Sequence, residues 1–208
     1  MSKNLLEIAP GFVRMPFTIL IDTAEKAPFT FGDIVSRSFV DKEMRVYQPI
    51  TERRFLGVGC GDYSIEGYTG IVGIERKSMK DFQGTLLGWR HEVEAGEWKI
   101  DIDRRARFKR ELKTLAGFAC KAVVVEATLD DCLDNSPEWG KRSAAENAKY
   151  LFSTYLSWVE EFPAVPWIFC GDRRFAEITT FRLLEKFWAR NKKKKRESGQ
   201  RTLAAAPF

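Results

Sequence analysis

At 208 residues and a net charge of +5, with 44% apolar content that includes six Trp and sixteen Phe, the chain can bury one sizeable core with appendages. It contains no unbroken apolar run long enough to span a membrane as a helix. Its start, Met1-Ser2-Lys3-Asn4-Leu5-Leu6-Glu7, lacks the apolar stretch of a secretory signal, so no membrane association or secretory leader is expected. Cys60, Cys120, Cys132 and Cys170 show no Cys-x-x-Cys spacing and His91 is the only histidine, which argues against a structural zinc site. The thiols read as reduced packing residues of an intracellular protein.

Taken in order, residues 1–15 form an arm with a turn at Pro10-Gly11. Phe17–Ile21 reads as the first strand and ends on Asp22, an Asp that also suits a turn or cap. Residues 31–40 suggest a loop and short helix, and 46–50 an edge strand, because Pro49 cannot donate to a ladder. Leu56–Cys60 suggests a strand ending at Gly61-Asp62. A turn around Gly67-Tyr68-Thr69 would make it a hairpin with the β-branched run Ile71–Ile74.

Glu75 and Lys77 follow that run two residues apart, so on an extended strand they share a face, with Arg76 on the other. Ser78 is placed to cap a helix to about Leu87, with Asp81 at the third helical position. Residues 88–103 are acidic, carry Trp89, His91 and Trp98, and read as a loop or helical extension. Over 104–118, Phe108, Leu112 and Leu115 recur at helical spacing among Arg104, Arg105, Arg107, Lys109, Arg110 and Lys113. Such a face is either an ordinary solvated surface or a row of phosphate contacts.

Lys121–Val125 reads as a buried parallel strand ending at Glu126. A loop over 128–142, a helix over 143–162, a strand over 165–170 and a helix over 172–188 complete the body. Residues 190–208 hold seven Lys and Arg against Glu197, a net +6, leaving −1 on the other 189 residues. The expectation is an arm (1–15), a folded domain (16–189) and a basic, unstructured tail (190–208). With a body that is not basic overall, any polyanion groove must come from local clustering.

Two carboxylates, Asp62 and Glu75, beside a compact cation, Lys77, are the parts that phosphodiester hydrolysis needs. Mg²⁺ takes one or two carboxylates and keeps waters and a substrate phosphate as its other ligands. Lysine orients water or neutralises developing charge. A Glu-x-Lys pair alone also fits an ordinary ion pair at a strand end.

The wider pattern is more specific. Gly61-Asp62-Tyr63, a spacer, Glu75-Arg76-Lys77-Ser78 and then Asp81 resembles the signature of the XPF family of structure-specific DNA endonucleases. Upstream, Ile21-Asp22-Thr23-Ala24-Glu25 stands where that family carries an apolar-Asp-x-Arg-Glu element, with Ala24 in place of the usual Arg and Lys26 two residues on. The likeness continues through Arg105–Leu112 and Ala122–Glu126, and covers residues 17–129 apart from an insertion at 88–103.

The resemblance implies an α/β fold with a restriction-endonuclease-like core, a central mixed β-sheet flanked by α-helices. It implies a metal-dependent DNA endonuclease of flap, fork or branched DNA. Asp22, Asp62 and Glu75 would hold Mg²⁺ (or Mn²⁺), and Lys77 would complete the catalytic set. Glu25, Arg76 and Asp81 would support it, and Arg105 and Arg107 would contact DNA. It further implies work as a homodimer or heterodimer, no organic cofactor, and a cytoplasmic or, in a eukaryote, nuclear location. The competing expectations are a non-catalytic DNA-binding or partner module that keeps the nuclease fold, and a nuclease acting on RNA.

Overall fold

The computed structural model describes residues 7–9, 12–37, 44–88, 90–94, 97–100, 102–138 and 142–204. Six strands form the central sheet: β3 (Ile19–Ile21), β6 (Thr51–Arg53), β7 (Tyr63–Ile65), β8 (Val72–Lys77), β11 (Cys120–Val125) and β12 (Trp167–Phe169), in the order β12-β11-β8-β7-β3-β6. β8, β11 and β12 run parallel, β7 is antiparallel to both β8 and β3, and β6 is parallel to β3. A second sheet joins β1 (Glu7–Ala9), β2 (Phe12–Arg14), β5 (Met44–Gln48) and β4 (Ile34–Arg37), and β9 (Arg90–Glu94) pairs with β10 (Glu97–Ile100) as a hairpin.

The helices are α1 (Met79–Leu87), α2 (Ile102–Ala116), α3 (Leu129–Asp134), α4 (Ala144–Glu161) and α5 (Arg173–Ala204). They cover both faces of the central sheet, which is why β11 reads as a nearly unbroken apolar run. Ala122 and Val124 pack towards Phe181, Leu184 and Phe187 of α5, together with Ile74 of β8. Val123 and Val125 face Phe82 and Leu86 of α1, Phe108 and Leu112 of α2, and Trp158 of α4. The fold is a mixed α/β sheet flanked by helices, as expected.

Local chemistry sets the helix ends. The hydroxyl of Ser78 accepts the Asp81 amide, as expected for a cap. Thr128 with Asp131 and Ser143 with Glu146 form reciprocal capping boxes. The first of these makes a short helix where a loop was expected over 128–142.

Other expectations are revised. Leu56–Cys60 is a glycine-bracketed loop, and the strand that pairs with β8 is Tyr63–Ile65. Residues 34–37 are a strand, and β5 lies inside its sheet with Pro49 beyond its end. Part of the N-terminal arm joins a sheet, the 88–103 stretch contributes the β9–β10 hairpin, and α5 continues through the basic segment to Ala204.

A connection between β3 and β4 is held from the far end of the chain. Phe31 and Asp33 have positive φ (57° and 54°), uncommon for non-glycine residues. Arg174 donates to the carbonyls of Gly32 and Asp33, Arg173 to those of Ala27 and Pro28, and Glu177 accepts the Phe31 amide. Phe31 is fully buried there, edge-on to Tyr63.

Candidate active site

The site forms at the C-terminal end of β8. That strand starts as a core strand and ends in charges, so apolar packing up to Ile74 fixes where Glu75, Arg76 and Lys77 project. A β-carbon on Gly73 would lie 2.4 Å from the Cys60 carbonyl oxygen and 2.8 Å from Leu115. Only glycine lets the 57–61 loop cross β8 this closely. Gly61 (φ +79°) has a similar role, since a β-carbon there would meet Ile74 backbone atoms at 3.0 Å. The crossing places Asp62 beside Glu75: the Asp62 amide donates to Ile74 O at 2.9 Å, and Asp62 Oδ2 accepts the Arg76 amide at 2.7 Å.

On one face of β8, Lys77 Nζ lies 3.2 Å from Glu75 Oε1, 3.3 Å from Asp81 Oδ2 and 3.9 Å from the centre of the Phe108 ring. Arg104 also pairs with Asp81. These groups line a cleft of about 170 Å³ together with Thr85, Arg107 and Glu111. On the opposite face, the Arg76 guanidinium bridges Glu25 (3.1 Å) and Glu126 (2.8 Å), and Arg173 joins Glu126 at 2.7 Å.

The electrostatics follow from burial and crowding. Desolvation pushes Glu75 up, Lys77 pulls it back and Glu111 pushes again, leaving its pKa at about 7. Asp62 is raised well above the usual carboxylate range by desolvation and by Glu75, against the pull of the Arg76 amide. Desolvation opposes the Lys77 charge, but Glu75, Asp81 and Asp62 outweigh it and raise its pKa. Lys77 is therefore an ammonium at neutral pH, suited to orienting and neutralising rather than to taking a proton. For Asp81, the neighbouring Lys77 and Arg104 overcome desolvation and hold its pKa low.

Asp62, Glu75, Lys77 and Asp81 thus come together. Asp22 adjoins them through its backbone, donating to Asp62 O at 2.8 Å, but its carboxylate accepts the amides of Ala24 (2.7 Å) and Leu56 (2.8 Å). Glu25 and Arg76 sit together behind β8. Arg105 turns inward to Tyr150 and Thr154 of α4, whereas Arg107 is exposed and lines the cleft. At Ala24, the neighbouring strand supplies an arginine: Arg53 donates to the carbonyls of Thr23 and Glu25. The side chain of His91 lies outside the described residues.

The sequence alone assigns no role to Glu111, which lines the cleft. A signal was present, because Glu111 interrupts the stripe Phe108, Leu112, Leu115 at helical spacing. A carboxylate on the buried side of a helix calls for a partner.

Among the described residues, no three His, Cys, Asp or Glu side chains are grouped to hold a metal between them. A Mg²⁺-type ion does not require three, since water and phosphate complete its shell. Asp62 and Glu75 are hard oxygen donors whose mutual repulsion a divalent cation would relieve, so the residues present fit such an ion and not a closed protein cage.

No protein-family model and no curated protein matches the chain. A solved structure, XPF from Aeropyrum pernix, aligns with 91% of this chain and 74% of its own at 14% identity and a TM-score of 0.48. A likeness at that level carries no argument about chemistry, so the functional reading stands on the side chains.

Proposed function

We propose that this protein is a Mg²⁺- or Mn²⁺-dependent endonuclease that hydrolyses phosphodiester bonds in flap, fork or branched DNA. The observation that carries the reading is Glu75 at 3.2 Å from the buried Lys77 ammonium in an open cleft, with Asp62 tied to the same strand end through the Arg76 amide. A module that only binds DNA has no use for buried carboxylates facing phosphate, which repel it unless a cation intervenes.

In this reading Asp62 and Glu75 hold the ion. When bound, the ion polarises the phosphate and lowers the pKa of a bound water. Lys77 Nζ, held between Glu75 and Asp81, orients the attacking water and offsets the negative charge that grows on the phosphorane oxygens. Asp81 and Arg104 fix the position of Lys77. Arg107 on the cleft wall contacts phosphate. Asp22 acts one step back, tying Leu56 and hence the loop that delivers Asp62, and Arg76 with Glu25 holds the other face of β8.

The test is cleavage of duplex, flap and fork DNA with Mg²⁺ or Mn²⁺. The parent cuts a branched substrate, EDTA stops it, and Glu75→Gln and Lys77→Ala each lower the rate at least about 100-fold, as expected when a transition-state interaction is removed. Metal-independent binding with no cleavage would instead identify a binding module, and cleavage confined to RNA would redirect the substrate.

A further inference from the structure

The loop that crosses β8 carries two large apolar side chains outward: Phe55 is 67% exposed and Val58 82% exposed. Single exposed apolar residues are ordinary, but these lie three residues apart on a braced support. Between them Leu56 is buried, and its amide is held by Asp22. Beyond them Gly59 rests on α2, where a β-carbon would lie 3.1 Å from Thr114 Oγ1 and 3.2 Å from the Glu111 Cα. Cys60 then lies against Gly73. The loop is pinned before its exposed side chains, where the Arg54 amide donates to Ile21 O at 2.9 Å, and again between and after them, so they project outward.

The position matters. Glu111, on which the loop rests, also lines the Glu75–Lys77 cleft. Arg107 and Arg110, both exposed, precede Glu111 on the same helix. Exposed apolar side chains on a loop seated against an arginine-bearing helix are suited to gripping a single strand: cations take the backbone and apolar faces take bases. A base paired and stacked inside a duplex offers no face to such a projection, whereas an unpaired base does.

We infer that the Phe55–Val58 loop is a nucleobase-binding wedge, with Phe55 stacking on an unpaired base next to the phosphate in the cleft and Val58 packing on its sugar edge. This rests on the nuclease reading and deepens it: the wedge selects junctions between duplex and single strand over continuous duplex.

The test uses the full chain with Ca²⁺ in place of Mg²⁺ and a fork DNA carrying 2-aminopurine at its first unpaired position, with the matching continuous duplex as control. The parent changes the 2-aminopurine fluorescence on binding the fork. Phe55→Ala loses most of that change and binds the fork about tenfold more weakly, the usual scale for a lost base stack, while its duplex affinity stays within about twofold. Phe55→Trp keeps the signal, and Val58→Ser weakens the fork about threefold. Melting temperatures of all three match the parent because the changed side chains are exposed.

Unchanged fork binding and signal in Phe55→Ala, or equal weakening on fork and duplex, would overturn the wedge. Failure of the nuclease reading is separately visible: a parent that binds the fork but never cuts it with Mg²⁺ sinks that reading, and a parent that binds no DNA overturns the wedge as well.

Discussion

Lys77 is only 5% exposed at its side chain yet carries a charge. It does so because Glu75 and Asp81 stand within 3.3 Å, and the cost of taking three charges from water is shared among them. The balance is uneven. Glu75, at about 7, binds its proton far more tightly than an unfolded glutamate at 4.5. Between those two values the folded, ion-free protein holds more protons than the unfolded chain, so this group's contribution to stability falls as pH rises through the window. Asp62 shifts in the same direction, whereas the depressed Asp81 acts only below about pH 4. Thermal melts in EDTA should therefore show stability declining from pH 5 to pH 8. Glu75→Gln should flatten that decline, since it removes one titration and its push on Asp62. On the proposed reading a Mg²⁺ ion held by Glu75 displaces its proton, so calorimetry in two buffers should find proton release on binding near pH 6 that vanishes above pH 8.

At the level of the element, β8 shows what the sequence could and could not tell. Its β-branched start and the Glu-x-Lys spacing predicted a buried strand presenting Glu75 and Lys77 on one face, and that is the geometry found. The pairing of Asp62 with the strand was also legible, but its means was not. Leu56–Cys60 looks like a strand by composition, and only the folded chain shows the positive φ at Gly57, Gly59 and Gly61 and the close approach of the Cys60 carbonyl to Gly73 that make it a loop. Period-two patterns cannot distinguish a strand from a loop pinned across one. Arg105 shows another limit: a row of helical cations says nothing about which of them turns inward to a tyrosine. Gly73→Ala tests the crossing. The added methyl has no room against Cys60 and Leu115, so the variant should lose roughly 1–3 kcal/mol in urea denaturation. It should also lose metal-dependent cleavage through displaced Asp62, with Lys77 and Glu75 unchanged in identity.

Across the whole molecule, Arg76 joins parts of the chain that sequence separates. Its guanidinium reaches Glu25 in the turn after β3 and Glu126 at the end of β11, and Glu126 passes the contact to Arg173 at the start of α5. Removing Arg76 leaves the buried Glu25 carboxylate without its cation while Glu126 keeps Arg173, so Arg76→Ala should cost about 3–5 kcal/mol by chemical denaturation. Glu25→Gln in that background should restore part of the loss, because it removes the carboxylate left without a cation, whereas an exposed pair such as Arg54–Glu52 would show coupling below about 1 kcal/mol.

The grip of α5 on the Ala27–Asp33 segment bears on how this protein can be cut down for study. Every side chain assigned to the cleft precedes residue 127, which invites excision of a minimal catalytic fragment ending there. Such a fragment would leave Phe31 and Asp33 in disfavoured backbone states without the α5 contacts that hold them, and would strip α5 from one face of the β8–β11 pair and α4 from the other. It should be insoluble or molten, and supplying residues 128–204 as a separate polypeptide should rescue it, because that piece carries α4 as well as α5.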